Sequence, residues 1–151
     1  MRLLKSHELE DSWGSLIYAP KQLGTASLDL TVKKIFRIDS PGTLDFGGSE
    51  YQPSGSQLIP PRIEDDPKYG WWTLTEGYYK IEYNEILSHE ACLAIVFPHQ
   101  RLQMTGCFHS SFIVQSSAES NPIQGSLIVE TDGVRIKENA RISTAITFLV
   151  K

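Results

Sequence analysis

The chain has 151 residues, of which 40% are hydrophobic and 21% charged, values that fit one globular domain and exclude a disordered or fibrous protein. A net charge of −4 argues against a general nucleic-acid-binding protein, and no apolar run approaches the roughly 20 residues of a membrane helix or forms a signal-peptide core. Cys92 and Cys107 provide neither a disulfide framework nor metal-ligand spacing, so we expect a soluble, cytoplasmic, single domain over residues 1–151.

The first half of the chain predicts one short helix and one long strand. Residues 3–10 can form one or two helical turns, but they have little apolar face to hold them. Apolar and polar residues alternate in residues 27–38, which is the period of a half-buried strand. Residues 39–70 are rich in Pro and Gly, so we expect a long excursion with one short strand, either near Tyr51 or at residues 58–59.

The second half predicts short strands separated by turns, over residues 71–74, 78–83, 91–97, 112–114, 126–130, 134–136 and 145–150. Tyr79, Ile81 and Tyr83 share one face of their strand, which we expect to face the core, and Lys80, Glu82 and Asn84 share the other, which we expect to be solvated. One of the adjacent residues Trp71 and Trp72 must point outward, and we expect a core or subunit-interface anchor rather than a base-stacking platform. With no long helical period, the pattern predicts an all-β sandwich or barrel.

Sequence signatures of common active sites are missing: there is no zinc signature, no glycine-rich phosphate loop before a helix, and no Gly-x-Ser-x-Gly. The run Glu64-Asp65-Asp66 could hold a divalent cation, although such a run in a Pro-rich loop is more often simply solvated. His99 ends an apolar strand, where a histidine is either catalytic or merely polar. His109 precedes two serines, but alternation along a strand would turn the adjacent serine away from it.

Glu130 is the most interesting single candidate for catalysis. It follows the apolar run 127–129. It is therefore either partly buried, which would suit a carboxylate for proton transfer, or it lies at the solvated end of a strand.

Five segments, in chain order, resemble motifs of the dCTP deaminase and dUTPase superfamily, particularly its archaeal-type branch. They are GTASLDLTV at 24–32, similar to P-A-S-x-D-L-R; TEGYY at 75–79 with the following Asn84-Glu85, similar to a P-G-x-Y strand that ends in a glutamate; AIVFP at 94–98, similar to the strand before R-S-S; LQMTG at 102–106, similar to L-x-R-x-G; and NARI at 139–142, similar to A-R-I-A-Q. The resemblance spans nearly the whole chain. It implies a distorted β-barrel of the dUTPase-like (β-clip) type that forms homotrimers, with nucleotide sites between subunits.

The resemblance also implies site residues at the matching positions. Glu130 falls where the deaminases place the glutamate that activates water for attack on the cytosine ring. Asp29 matches the early acidic position, where a metal would be reached only through a bound triphosphate. His99, Gln100 and Arg101 stand where the family has R-S-S, so we expect them to contact the nucleotide.

Two further positions match, and three differ. Gly125 and Arg141 stand at nucleotide-binding positions of the resembled motifs. Ser120 replaces the aspartate that activates water in the dUTPases, and a serine cannot do this alone at neutral pH. Ile123 replaces a tyrosine, and Thr144 stands where a glutamine is expected.

These departures leave two kinds of function open. The resemblance implies a protein of pyrimidine deoxynucleotide metabolism, either a dUTP diphosphatase or a dCTP deaminase, with Mg²⁺ only alongside a bound triphosphate. We expect phosphate binding to be weakened, because R-S-S is replaced and the sequence given ends at Lys151, before the family's C-terminal arm. The alternative is a non-catalytic trimeric scaffold or a regulatory binding module, for which residues 39–70 offer a contact surface.

Overall fold

The computed structural model describes residues 1–116 and 122–150. The strands are β1 (Arg2–Leu3), β2 (Trp13–Gly14), β3 (Leu28–Ser40), β4 (Gly55–Ile59), β5 (Trp71–Leu74), β6 (Gly77–Tyr83), β7 (Ile86–Leu87), β8 (Cys92–Pro98), β9 (Cys107–Phe108), β10 (Phe112–Gln115), β11 (Gln124–Val129), β12 (Val134–Lys137) and β13 (Arg141–Leu149). The helices are α1 (Ser6–Ser12), α2 (Ala19–Gln22) and α3 (Gln100–Met104). None of the helices in this described part of the chain has the length and apolar character that a membrane crossing requires.

Nine strands form one antiparallel sheet in the order β10-β8-β13-β3-β6-β11-β9, with β1 beside β13 and β4 beside β3. The sheet curls into half of a barrel, which confirms the predicted all-β, barrel-like fold, and α1 is the expected short N-terminal helix. Two small ribbons, β12–β5 and β2–β7, lie outside this sheet. Because the late strand β13 lies between β3 and β8, segments that are far apart in the sequence become neighbours at one end of the sheet.

The alternation predicted for β3 places its apolar side chains in the core. Leu28, Leu30 and Val32 are fully buried. Thr31 lies between them and was expected on the solvated face, yet it is also buried. The reason is a tertiary contact, because the backbone N–H and the hydroxyl of Thr31 both donate to the buried carboxylate of Glu85.

The central strand β6 confirms one predicted face and corrects the other. Tyr79, Ile81 and Tyr83 are buried, as the pattern predicts. Glu82, on the face expected to be solvated, is only 8% exposed. β6 lies between β3 and β11, and Lys34 of β3 lies 3.9 Å from the Glu82 carboxylate, so neighbouring strands cover that face too.

The Pro- and Gly-rich excursion, residues 39–70, begins as a hairpin. β3 continues to Ser40 and pairs with β4 in a register that sets Ile35 opposite Ile59. The short strand therefore lies at the second of the two predicted positions. The loop at the hairpin tip exposes apolar side chains, including Phe46.

The two adjacent tryptophans of β5 have different environments. Trp72 is 2% exposed, and its indole N–H donates to the carbonyl of Ile59 over 2.8 Å, which confirms a core anchor. Trp71 points to the other side and is half-buried beneath Arg135 and Lys137 of β12.

Candidate functional site

A polar cluster centred on Asp29 lies where β3, β8 and β13 meet. Asp29 Oδ2 accepts from an Arg141 guanidinium nitrogen at 3.2 Å and lies 3.3 Å from His99 Nε2. Its Oδ1 accepts from the Thr144 hydroxyl at 3.1 Å. We call these four residues the Asp29 cluster. Their side chains are largely but not fully covered, with 17% of Asp29 and 28% of Arg141 exposed, so they form the rim of a site rather than a closed core.

Strand register explains how the cluster forms. β13 pairs with β3 so that Thr144 stands opposite Asp29, and β8 ends beside β13, which brings His99 to the same corner. Arg141 and Thr144 are an odd number of residues apart, so regular alternation would send them to opposite faces. A register shift between Arg141 and Ser143 marks a bulge, and this bulge lets both side chains reach one carboxylate.

The hydrogen bonds of His99 define which ring nitrogen carries the proton. Its Nδ1 accepts from the backbone N–H of Arg101 at 3.0 Å, which caps α3. In the neutral ring the proton must then sit on Nε2, and this N–H points to Asp29. The sequence offered no partner for His99; the fold supplies Asp29.

The residues that follow His99 form the short helix α3. Gln100 and Arg101 are exposed on it, and among the described residues their side chains make no hydrogen bond to the Asp29 cluster. Met104 stands at the arginine position of the resembled L-x-R-x-G segment, and it is 81% exposed. The exposed methionine has no group to offer to a phosphate.

A cleft of about 420 Å³ borders the cluster. The basic side chains along it are Lys21, Arg101, Arg135, Lys137 and Arg141. The ring of Trp71 also lines it, with the Arg135 guanidinium 4.6 Å and the Lys137 ammonium 5.7 Å from the ring centre. In a chain with a net charge of −4, this concentration of cations favours an anionic ligand.

The other predicted site residues lie away from Asp29. Glu130 follows the end of β11 and is exposed, next to Gly106, where a Cβ atom would lie 4.0 Å from that of Glu130. Gly125 lies within β11, beneath the rings of Phe112 and Tyr83. Ser120 falls outside the residues that the structure describes.

A buried carboxylate that the sequence interpretation did not single out supports the cluster. Glu85 is fully buried and accepts from the backbone N–H of Thr31 at 2.9 Å and from Gln22 Nε2 at 2.8 Å. Burial raises the pKa of the Glu85 carboxyl, and the hydrogen bonds from Thr31 oppose this rise. Gln22 also donates to the carbonyl of Asp29 at 3.0 Å. Glu85 therefore fixes the backbone of β3 close to Asp29. In the sequence, the resemblance placed Glu85 at the end of a strand, whereas no pattern indicated a role for Gln22.

A second histidine cluster lies inside the barrel. His109 Nε2 is 2.7 Å from the Ser143 hydroxyl, which is 2.6 Å from the Tyr83 hydroxyl. His109 Nδ1 lies 2.9 Å from the carbonyl of Ser110 and must donate to it. All three side chains are 2% exposed or less, and burial lowers the pKa of His109. We call His109, Ser143 and Tyr83 the inner network. The serine hydroxyl that His109 contacts is therefore that of Ser143, not of an adjacent serine, and the network is buried.

The acidic run in the excursion forms ion pairs. Glu64 pairs with Arg135, and Asp66 pairs with Lys137 at 2.9 Å. The hydrogen bond from Lys137 lowers the pKa of the Asp66 carboxyl. Glu64 and Asp66 therefore neither form a cation site nor remain freely solvated, which were the two interpretations of this run.

The donor set at the cluster does not fit a resident magnesium ion. Both oxygens of Asp29 already accept from protein donors, and no second carboxylate from the described part of the chain joins it there. Across the described residues, no group of three or more His, Cys, Asp or Glu side chains is placed to hold a metal. Cys92 and Cys107 are free and buried.

Comparison with known proteins finds relatives that share one name. The chain is 32% identical over 123 residues to a probable deoxyuridine 5′-triphosphate nucleotidohydrolase of Methanosarcina barkeri, which covers 80% of this chain and 68% of that protein. Proteins of the same name from Methanosarcina acetivorans and Methanococcoides burtonii are 30% and 29% identical, covering 80% and 85% of this chain and 68% and 73% of theirs.

A solved structure supports the fold. The crystal structure of 2′-deoxycytidine 5′-triphosphate deaminase from Agrobacterium tumefaciens superposes on 97% of this chain with a TM-score of 0.65 and 14% identity. The chain spans 48% of the length of that protein. A scan against protein-family models gives no match.

Proposed function

The chain belongs to the dCTP deaminase and dUTPase superfamily, and on that basis we propose that it binds a pyrimidine deoxynucleoside triphosphate, dUTP or dCTP, in the cytoplasm. The observation that carries the proposal is the Asp29 cluster. It joins Asp29, His99 and Arg141 from three separate segments, each of which lies in or next to a segment that resembles a family motif. Because the relatives are named probable dUTP hydrolases, release of pyrophosphate from dUTP is the first activity to test.

Within the proposed site, Arg141 and His99 are the groups suited to phosphate oxygens. Both are donors, and both are held by the same oxygen of Asp29. Asp29 is then a positioning residue: it orients Arg141, which has further guanidinium N–H groups for a phosphate, whereas His99 donates its Nε2–H to a phosphate only by exchanging Asp29 for it. We assign Glu130 as the base that activates water, because an exposed carboxylate can meet a substrate that lies between subunits.

We also propose a homotrimer, with nucleotide sites between subunits. An apolar row on the outer face of the sheet supports self-association. Tyr78, Ile128 and Phe108 are direct cross-strand neighbours on β6, β11 and β9, and Tyr78 is 68% exposed. Burial of such a row between copies removes apolar surface from water.

Magnesium enters the proposal only with the nucleotide. The protein donors around Asp29 leave no cage for the ion, so the phosphates would have to supply most of its ligands. We therefore expect metal binding to depend on the presence of triphosphate.

A second candidate is a non-catalytic trimeric scaffold or regulatory module that uses the same fold. The substitution of R-S-S by His99, Gln100 and Arg101 favours it, as does the exposed Met104 at an arginine position. Such a protein would retain assembly, with or without nucleotide binding, and would lack turnover.

The test combines binding and turnover on the purified protein. dUTP and dCTP, with and without Mg²⁺, are followed by thermal shift, pyrophosphate release and ammonia release. A ligand at 100 times its Kd stabilises the fold by about 2.7 kcal/mol, which is readily measured. We expect a selective shift that Asp29→Asn abolishes, and turnover that Glu130→Gln removes by a factor of at least about 100.

Glu50→Gln is the matched control, because Glu50 is an exposed carboxylate on the excursion hairpin. It should leave binding and turnover unchanged. Binding without turnover would favour the regulatory or scaffold module over the enzyme. A flat response to both nucleotides would contradict the proposed ligand.

A further inference from the structure

The cleft beside the Asp29 cluster contains positive charge that the cluster does not explain. Of its basic residues, Arg141 is paired with Asp29. Lys21 and Arg101 also line the cleft, and neither makes an ion pair with any of the residues that the structure describes. The cleft therefore presents two cations without a carboxylate partner, in a chain whose total charge is −4.

The remaining two cations of the cleft form ion pairs with carboxylates, and an anionic ligand can compete with these carboxylates. Arg135 and Lys137 lie on one face of β12, and both approach the ring of Trp71 on β5. Their carboxylate partners, Glu64 and Asp66, come from the excursion. Half of the Arg135 side chain and about a third of the Lys137 side chain stay exposed, at 50% and 36%. Ion pairs at this exposure are weak, so an incoming anion can replace the carboxylates.

We infer that this cleft binds the polyphosphate of the ligand through Arg101, at the position of R-S-S, and through three cations outside the resembled motifs, with the carboxylates of the excursion competing for two of them. Arg101 and Lys21 provide the charges that lack a partner, and Arg135 and Lys137 provide charges that Glu64 and Asp66 release. The inference rests on the proposed function, because the polyphosphate belongs to the proposed nucleotide. It adds that Lys21, Arg135 and Lys137 join Arg101 in the phosphate contacts for which the family uses R-S-S.

The geometry favours linked phosphates over a single phosphate or a nucleic acid. The basic residues come from α2, α3, β12 and β13, so they surround the cleft rather than converge on one point. A chain of phosphates can reach several of them at once, whereas orthophosphate cannot. The cleft of about 420 Å³ is in the range of small-molecule sites, and the net charge of −4 argues against nucleic acid as the ligand.

Tripolyphosphate, without any nucleoside, is the probe for this inference. Trp71 makes binding visible, because Trp13 and Trp72 are buried at 4% and 2% exposure while Trp71 lines the cleft. We expect a saturable change in tryptophan fluorescence that weakens as salt rises, together with binding heat in calorimetry. In Trp71→Phe the fluorescence change should disappear while the binding heat remains.

Two variants should change the affinity in opposite directions. Arg101→Gln removes an exposed, unpaired cation and should weaken tripolyphosphate binding about tenfold. The double variant Glu64→Gln with Asp66→Asn frees Arg135 and Lys137 from their partners and should tighten binding about threefold. The gain in the second variant cannot arise from misfolding.

Lys33→Gln is the control, because Lys33 is an exposed cation on β3 that does not line the cleft. It should leave the affinity within about twofold of the wild type. Absence of tripolyphosphate binding, or equal weakening by Lys33→Gln and Arg101→Gln, would overturn the inference. Orthophosphate binding as tightly as tripolyphosphate would overturn it as well.

The outcome is separable from that of the proposed function. If tripolyphosphate binds with this pattern but dUTP and dCTP have no effect, the cleft is a polyphosphate site and the nucleotide assignment fails. If either nucleotide binds or turns over while Arg101→Gln and the double variant leave tripolyphosphate affinity unchanged, the nucleotide assignment stands and the cleft inference fails.

Discussion

Two histidine clusters lie on opposite sides of one strand. Ser143 and Thr144 are adjacent on β13, and alternation turns the first into the barrel and the second toward the rim. Ser143 meets His109 in the inner network. Thr144 binds Asp29, which in turn contacts His99. Similar residue types, one position apart, thus belong to a closed core on one side and to an open candidate site on the other.

The two clusters differ in whether their polar groups remain available to a ligand. In the inner network the Tyr83 hydroxyl, the Ser143 hydroxyl and both nitrogens of His109 have protein partners, and solvent is excluded. In the Asp29 cluster, donors stay partly exposed and can exchange one acceptor for another. The same chemistry therefore stabilises the fold where it is buried and is suited to ligands where it reaches the rim.

The largest expected effect comes from removing the Ser143 hydroxyl, and removal of the Thr144 hydroxyl in a separate variant provides the comparison. Ser143→Ala leaves a buried Tyr83 hydroxyl and the Nε2 of His109 without a partner, which should lower the free energy of unfolding by about 3 kcal/mol. Thr144→Ala removes one partly exposed hydrogen bond and should cost less than about 1 kcal/mol. Urea unfolding at neutral pH measures both. Equal losses would mean that burial does not separate the clusters.

A smaller effect concerns pH. Burial lowers the pKa of His109 in the folded protein below the ordinary value of 6.5. The unfolded chain therefore takes up a proton first as pH falls, so the contribution of neutral His109 is complete above about pH 6.5 and is lost below it, at up to about 1.4 kcal/mol per pH unit. Unfolding free energies between pH 7 and pH 5 should fall less steeply in His109→Gln than in the wild type.

His99→Gln serves as the control for this pH dependence. It alters the rim histidine and leaves the inner network intact, so the acid loss attributed to His109 should persist in it. If the wild type and His109→Gln lose stability in parallel over this range, the acid sensitivity arises elsewhere in the molecule.

The smallest expected effect tests whether Gly125 only packs against Phe112 and Tyr83 or belongs to the nucleotide site. A Cβ atom there would lie 3.4 Å from the Phe112 ring and 3.5 Å from the Tyr83 ring, which is close to ordinary contact. Gly125→Ala should change the free energy of unfolding by less than about 0.5 kcal/mol and leave nucleotide binding unchanged. Loss of nucleotide binding in a stable variant would instead assign Gly125 to the nucleotide site, as the family resemblance implies.

Much of the fold was predictable because it follows local periodicity. Alternation marked the apolar residues of β3 and β6, and the turn residues after Ser40 marked the excursion. The short strands β1, β2, β7 and β9 have two residues each, too few to show a period, and they went unpredicted. The face of β6 that carries Glu82 was expected to be solvated, because its cover comes from a neighbouring strand.

The candidate site was predictable only in part. The resemblance marked Asp29, His99 and Arg141 one by one, but nothing local indicated that they meet at a single carboxylate. Their meeting depends on the pairing of β13 with both β3 and β8, and on one bulge. The ion pairs that Glu64 and Asp66 make with β12 likewise join residues some 70 positions apart, with no pattern to connect them.

By itself, the sequence determined the all-β class, the core faces of the long strands and membership of the superfamily, because periodicity and ordered motifs are properties of the chain. Tertiary structure decided which polar residues became core and which became rim. Ser143 and Thr144 differ by one position, and only the strands packed around β13 make one a buried hydrogen-bond partner and the other part of an accessible cluster. Burial is a property of the packed sheet, and burial determines whether a polar group stabilises the fold or remains available to a ligand.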